Sequence, residues 1–226
     1  MRRLLFLVFV GLAGCAVLVG LGNWQVRRLG EKQDLLSQIE TRIAAAPVAM
    51  PADPDPERDT FLAVQVAGRM LDGELHVLVS QKRIGAGYRI IAPFRTEDGR
   101  MILIDRGFVR TGQKDAPRSI GPMTITGNLH WPDEVDGFTP DPDVAGNIWF
   151  ARDVPALAQA LNTDPILVIA RSNTDFDGTP LPVTTVGIPN DHLQYAVTWY
   201  GLAAVWAAMS IYFLWRSRAG TKGKQP

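Results

Sequence analysis

A histidine among aromatic residues stands where the second of two apolar runs begins. His192 precedes this run by about three residues, or ~5 Å along a helix axis, and shares a helix face with Tyr195 and Trp199. The first run ends at Trp24 and Gln25, which a helical hairpin brings to the same level. An imidazole against an aromatic, apolar wall suits an axial ligand of haem iron. The pattern therefore indicates a candidate haem site, with His192 as the ligand.

The immediate neighbours of His192 leave two interpretations open. Asp191 or Gln194 could accept a hydrogen bond from the ring nitrogen that does not bind iron, which would fix the tautomer. Alternatively, Asn190 or Asp191 caps the helix, and His192 is only a polar residue at a membrane interface.

Motifs of catalytic sites are missing from the sequence. It contains no G-x-x-x-x-G-K, G-x-G-x-x-G, G-x-S-x-G or H-E-x-x-H pattern. Ser80 and His76 face the same way on one predicted strand, but no acid is placed beside them. His76 and His130 are interpreted as ordinary residues of a polar face. Asp105-Arg106-Gly107 is interpreted as an ion pair followed by a glycine turn or bulge. We therefore expect no enzyme activity, and a membrane-anchored enzyme is the least favoured function.

Two uncharged apolar segments predict transmembrane helices at 4–23 and 195–215. Four basic residues and no acid follow the second helix, so we expect 216–226 in the cytoplasm. Two crossings return 1–3 to the same side and place 24–190 outside the cytoplasm. Aromatic residues at both ends of the second helix are typical of a lipid interface, so the lipid bilayer is an expected partner.

The segment Leu12-Ala13-Gly14-Cys15 also looks like a lipoprotein processing site. However, the apolar run continues after the cysteine, and this favours an uncleaved anchor. Small residues such as Gly11 and Cys15, or Ala204 and Ala208, would let two helices approach closely. No long Ser/Arg-rich transit segment precedes the first helix, which favours a bacterial plasma membrane over a mitochondrial one.

Between the two spans, the pattern predicts a helix at 25–46 followed by a β-rich domain. The predicted strands are 61–70, 75–80, 87–94, 100–109, 123–131 and 165–170, with a short helix at 153–161. The turn at Asp98-Gly99 is a hairpin signal. We expect a membrane α+β protein in which two transmembrane helices flank one antiparallel sheet or small barrel.

Composition excludes several classes of partner. The 226 residues contain 23 basic and 23 acidic side chains, so the chain gives no electrostatic reason to expect nucleic acid as a partner. One cysteine allows no internal disulfide and no zinc site built from thiolates. Any metal or haem site must therefore use the three histidines or carboxylates.

Five short blocks follow one another from the first apolar run to the second. They are LGNWQVRRL (21–29) with Lys32; Gly68-Arg69 with Gly87-Tyr88 and Pro93; IDRGFV (104–109); NIWFARD (147–153); and PNDHLQYAVTW (189–199). In this order they resemble the Surfeit locus protein 1 family, assembly factors for cytochrome c oxidase. The chain departs from the family pattern at Asp105 and Asp191, where asparagine is more usual, and at Phe108, where tryptophan is.

The resemblance implies a role in respiratory chain biogenesis. Bacterial members look like chaperones that bind haem a transiently and help deliver it to oxidase subunit I, and haem a synthase is an implied partner. The implied iron ligand is His192, with Tyr195, Trp199, Trp24 and Gln25 around the cofactor. A scaffold that stabilises an oxidase subunit without carrying haem remains the alternative.

Overall fold

The computed structural model describes residues 2–81 and 85–222, and the chain forms two compact units. The helical unit contains the residues up to Gln38 and those from Val186 onward, and the sheet unit runs from Ile39 to Thr185. The predicted cytoplasmic ends, 1–3 and 216–226, include Met1 and residues 223–226, which lie outside the described part of the chain.

Two long helices, α1 (Arg2–Ala44) and α4 (His192–Lys222), carry the apolar runs. Both are long and apolar enough to span a membrane. The predicted helices 4–23 and 25–46 are a single element, since α1 is unbroken through Cys15 and Trp24. Helix α1 ends at Ala44, shortly before Pro47. This fits the effect of a proline ring, which disfavours helical backbone in the residue that precedes it.

The sheet unit contains all six predicted strands, with ends displaced by at most two residues. In chain order its elements are β1 (Val48–Ala49), α2 (Pro56–Asp59), β2 (Ala63–Met70), β3 (Leu75–Gln81), β4 (Gly85–Thr96), β5 (Met101–Arg110), β6 (Gly121–Leu129), α3 (Val154–Leu161) and β7 (Leu167–Ala170). The sequence pattern did not indicate β1 or α2, which are too short to show a periodicity.

Five strands close into a small barrel, which confirms that part of the fold prediction. Their order is β2-β6-β7-β5-β4, and β4 returns to β2 through the pairs Gly68↔Thr96 to Met70↔Phe94. A Cβ on Gly68 would lie 2.2 Å from the carbonyl oxygen of Arg95, so only glycine fits where the two strands meet. β1 and β3 extend the sheet beside β2 and β4.

The sheet, expected to be antiparallel, contains two parallel pairs of strands. β7 pairs antiparallel with β6 but parallel with β5, and β1 pairs parallel with β2. A parallel pair needs a crossover connection. The chain supplies one between β5 and β7, which contains β6 and α3.

Alternation along the strands divides the apolar residues between two clusters. One contains the barrel-filling side chains, among them Phe94, Ile102, Ile104 and Val168. The other packs α3 against the intervening positions, with Leu157 against residues such as Leu103. α3 begins where predicted, at an N-cap formed by Asp153, whose carboxylate accepts a hydrogen bond from the Ala156 amide at 3.2 Å.

The predicted bulge after Asp105 is present. Ile90 pairs with Gly107 and Ile91 with Asp105, so Arg106 is the extra residue. Gly107 has a φ of +113°, a conformation that favours glycine. The carboxylate of Asp105 is fully buried, accepts the Gly107 amide at 3.0 Å and pairs with Arg89.

Candidate functional site

A hydrogen bond joins the two halves of the predicted haem site. Nδ1 of His192, the first residue of α4, lies 2.8 Å from Oε1 of Gln25 on α1. The two residues are 167 positions apart in the chain. Gln25 is buried, with 8% of its surface exposed, while His192 is half-buried. The helical hairpin thus places one imidazole against an amide that only folding can bring to it.

This contact defines the chemistry that the ring can offer. An amide oxygen only accepts hydrogen bonds, so the Nδ1 facing it carries the proton. In the neutral imidazole, Nε2 then keeps its lone pair, and it forms no hydrogen bond with the described residues. This tautomer suits a ligand for iron, because ligating histidines usually donate their other N–H to an acceptor. The donor set therefore fits a haem with a single axial imidazole.

The predicted hydrogen-bond partners of His192 are not the ones that the structure shows. Asp191 accepts the backbone amide of Tyr195 at 3.2 Å through its carbonyl, and Gln194 is exposed. Neither side chain forms a described hydrogen bond with the ring, whose partner is Gln25. The position fixing the tautomer therefore lies on α1.

The aromatic residues predicted around the site are exposed or half-buried. Trp24 is 43% exposed and its ring lies 5.9 Å from the guanidinium carbon of Arg28. Tyr195 is 54% exposed, and Trp199 is half-buried. No described contact joins these three rings to His192, so their role at the site stays a prediction.

A second set of contacts holds α1 against α4. The hydroxyl of Tyr200 donates to Oδ1 of Asn23 at 2.7 Å, and the ring lies over Gly22. A Cβ on Gly22 would lie 2.6 Å from this ring. Residues progressively earlier in α1 contact residues progressively later in α4, so the two helices are antiparallel.

Trp206 provides the corresponding contact deeper in the hairpin. Its indole Nε1 donates to the carbonyl of Gly11 at 3.1 Å. A Cβ on Gly14 would lie 2.3 Å from the same nitrogen, so the indole occupies space that only a glycine leaves. Such a close approach at a small residue is typical of helices that pack in a membrane.

The predicted small-residue face of α4 is misplaced. Ala204 and Ala208 are exposed, and Gly201, three residues before Ala204 on the same helix face, has no described atom near its missing side chain. The small residues buried on α4 are Ala196 and Ala203. The spacing of His192, Ala196 and Ala203 along a 3.6-residue turn would have indicated this face, whereas four-residue spacing alone did not.

The alternative catalytic pair in the sheet unit is not assembled. Nε2 of His76 lies 2.8 Å from Oε1 of Glu74, while Ser80 is exposed near the end of β3. His76 is 4% exposed, so the interpretation that it belongs to a polar face is wrong. Residues 2–81 and 85–222 contain no cluster of three or more His, Cys, Asp or Glu side chains that could hold a metal ion.

His130 was also placed on a polar face, but it lies largely in the interior. Its ring stacks on Phe61 with 5.1 Å between the centroids. Burial, followed by the positive charge of Arg152, lowers the pKa of His130 to about 4. The ring is therefore neutral near pH 7. Its surroundings are those of a packed structural residue.

Comparison with known proteins identifies the family. Residues 12–204 match the SURF1 family, a range that includes both Gln25 and His192. The chain is 32% identical to Surfeit locus protein 1 of Homo sapiens, over 90% of this chain and 75% of that protein. The corresponding values are 31%, 88% and 71% for the Rattus norvegicus protein, and 29%, 93% and 89% for a SURF1-like protein of Monosiga brevicollis. On these matches, the chain belongs to the SURF1 family.

Proposed function

We propose that this protein is a membrane-bound assembly factor that carries haem a to the catalytic subunit of cytochrome c oxidase. Family membership supports a role in oxidase assembly. The observation that supports haem as the cargo is the bond between Gln25 and His192, which leaves Nε2 of the ring available to iron.

The protein's own contribution is to present one imidazole in one tautomer. α1 and α4 are held together by the contacts of Tyr200 and Trp206, so Gln25 and His192 need little reorganisation to adopt this geometry. Haem iron bound at Nε2 would gain one axial ligand from the protein. The rings of Trp24, Tyr195 and Trp199 would contribute apolar contacts to the bound haem.

A carrier must release what it binds. Within the described residues of the helical unit, His192 is the only histidine, and the single cysteine lies within α1 at Cys15. A site with one histidine that stays half-exposed can therefore hold haem reversibly. We propose that haem a synthase supplies the cargo and that oxidase subunit I receives it within the lipid bilayer.

The location that we propose follows the sequence pattern. The two helices would span the bacterial plasma membrane with both chain ends in the cytoplasm, and the barrel would lie outside. This places His192 at the outer lipid interface, where oxidase subunit I and haem a synthase would meet the hairpin.

The test is the haem content of the oxidase that cells make with each variant. Cells that lack the endogenous protein receive the wild type, His192→Ala or the neighbouring control Leu193→Ala, whose exposed side chain has no described contact with the site. We expect wild type and Leu193→Ala to restore haem a in subunit I, and His192→Ala to fail although it accumulates in the membrane.

The same experiment separates haem delivery from scaffolding. If the protein only stabilises an oxidase subunit, His192→Ala restores both the amount of subunit I and its haem a. That result would remove haem transfer from the proposed function and leave the scaffold.

A further inference from the structure

A buried cation in the sheet unit lacks an anionic partner. Arg106 on β5 is 1% exposed, donates from Nε to the Thr174 hydroxyl at 3.0 Å and from Nη2 to the Thr174 carbonyl at 2.8 Å. Its guanidinium lies 4.8 Å from the ring centre of Phe176. Among the described residues, no carboxylate lies within ion-pair distance and Nη1 makes no hydrogen bond.

Burying such a group is costly. Burial lowers the pKa of Arg106, and the charge of Arg118 acts in the same direction, whereas the charges of Glu74 and Asp175 raise it without forming an ion pair with the guanidinium. A buried charge is normally paired or fully hydrogen-bonded, because the free-energy cost of its desolvation is otherwise not offset. The guanidinium therefore calls for a partner that the chain does not supply.

A cavity of about 310 Å³ lies against this side chain. Arg106 lines it from β5, and His76 and Glu74 line it from β3 and the turn before that strand. Arg118 lines the cavity as well, with Asp72 and Asp115. The volume is enough for a small molecule and for several waters.

His76 lines the cavity and has a ring nitrogen without a partner among the described residues. Nε2 faces Oε1 of Glu74 at 2.8 Å, and because a carboxylate accepts, Nε2 carries the proton. Nδ1 of the neutral ring then has a lone pair, is buried and has no partner in the described part of the chain. A ligand that forms hydrogen bonds with both side chains must accept from Arg106 and donate to His76.

The other charges of the cavity limit the ligand to one negative charge. Oε2 of Glu74 lies 3.0 Å from Nε of Arg118, whose terminal nitrogens donate to backbone carbonyls, so these two charges offset each other. Asp72 and Asp115 are exposed on the lining and repel a dianion. Arg106 remains as the one cation to be neutralised.

We propose that this cavity binds a monoanionic oxyacid that keeps one hydroxyl group, as in dihydrogen phosphate or a singly charged phosphate monoester. Anionic oxygens accept from Nη1 of Arg106, and the P–OH donates to Nδ1 of His76. Phosphodiesters such as common phospholipid headgroups lack this hydroxyl and are disfavoured. The site does not depend on haem binding by the helical unit.

The test uses the purified full-length protein in detergent, with inorganic phosphate as the probe and dimethyl phosphate as the control, a monoanion that lacks the P–OH group. Titration calorimetry and thermal unfolding are recorded from about pH 7 upward at constant ionic strength. We expect a saturable phosphate response, little response to dimethyl phosphate, and weaker phosphate binding as the pH rises and the phosphate dianion predominates. Equal responses to the two anions, or none, would overturn the proposal.

Variants test whether Arg106 and His76 are responsible for phosphate binding. Arg106→Gln should abolish phosphate binding, whereas Arg95→Gln, at an exposed position on β4, removes the same charge elsewhere and should not. If Arg106→Gln fails to fold, His76→Phe and His76→Gln decide the matter. The first removes the acceptor and should weaken binding at least tenfold, and the second restores an acceptor oxygen and should recover part of it. Unchanged binding in His76→Phe contradicts the assignment.

A source for the ligand is distinguished by a final comparison. A water-soluble phosphate monoester and vesicles of a lipid with a monoester headgroup are offered in parallel to the same protein. Saturable binding of the soluble ester identifies a soluble metabolite as sufficient, and binding of only the vesicles identifies a lipid. Response to neither contradicts the phosphate chemistry itself.

Discussion

The role of Gln25 can be tested with one variant that removes its amide oxygen and one that retains an oxygen. Gln25→Leu keeps the approximate volume of the side chain but removes the oxygen that Nδ1 of His192 faces at 2.8 Å. The ring then loses the acceptor that selects its tautomer and orientation. Gln25→Glu keeps an oxygen at the same position and adds negative charge, which makes the imidazole a more basic ligand.

The expected magnitude follows from this geometry. A buried, well-formed hydrogen bond contributes about 1 kcal/mol net, and leaving the N–H without a partner costs roughly 1–3 kcal/mol. Loss of the residue that orients a ligating histidine typically weakens metal binding about 10–100-fold. We therefore expect haem affinity to fall about 10–100-fold in Gln25→Leu, and the midpoint potential to be lower in Gln25→Glu than in the wild type.

Haem titration followed optically, with redox potentiometry of the loaded protein, measures both effects. Gln194→Leu is the matched control, because this exposed glutamine is close to His192 in sequence but does not contact its ring. If Gln25→Leu binds haem as the wild type does, and its potential is unchanged, the tautomer argument is refuted. Absence of haem from the wild type would instead refute the proposed function.

Three further predictions concern packing, acid sensitivity and capping. Gly14→Ala should destabilise the hairpin by roughly 1–3 kcal/mol through the clash with Trp206, whereas Gly20→Ala, with open space around it, should be neutral or slightly stabilising; denaturant titration in detergent compares the two. The pKa of His130 in the folded protein is lowered to about 4, so the unfolded chain binds this proton more readily. The stability that the neutral ring contributes is therefore fully present above pH 6.5 and is lost as the pH falls toward 4. This loss is at most about 3 kcal/mol, and His130→Phe should remove it from the measured dependence of unfolding free energy on pH. Asp153→Ala should cost about 1 kcal/mol in urea unfolding because α3 loses its N-cap, and an unchanged midpoint would contradict that role.

Local signals in the sequence were sufficient for most elements. Asp98-Gly99 marks the β4–β5 hairpin, with Gly99 at a φ of +90° that few other residues adopt. Asp153 and Pro155 mark the start of α3 in the same way. Such signals involve neighbours in the chain, so they survive without knowledge of the tertiary fold.

Contacts between distant residues were not predictable in this way. The parallel pairing of β5 with β7 depends on a connection that passes through β6 and α3, and no periodicity records it. The hydrogen bond of His192 was assigned to its neighbours Asp191 and Gln194, since the sequence does not give the relative rotation of two helices. The ion pair expected within Asp105-Arg106-Gly107 does not form between these neighbours, because Asp105 pairs with Arg89 from the adjacent strand and Arg106 is buried against Thr174.

The measurement that tests the central claim most directly is the optical spectrum and extracted haem type of the full-length protein purified from cells that make haem a. The wild type is predicted to carry haem a with the spectrum of a histidine-ligated iron. His192→Ala, with unchanged circular dichroism, is predicted to carry little or none until imidazole is added. Full haem occupancy in His192→Ala, or a wild type purified without haem that also fails to bind added haem a, would contradict the account.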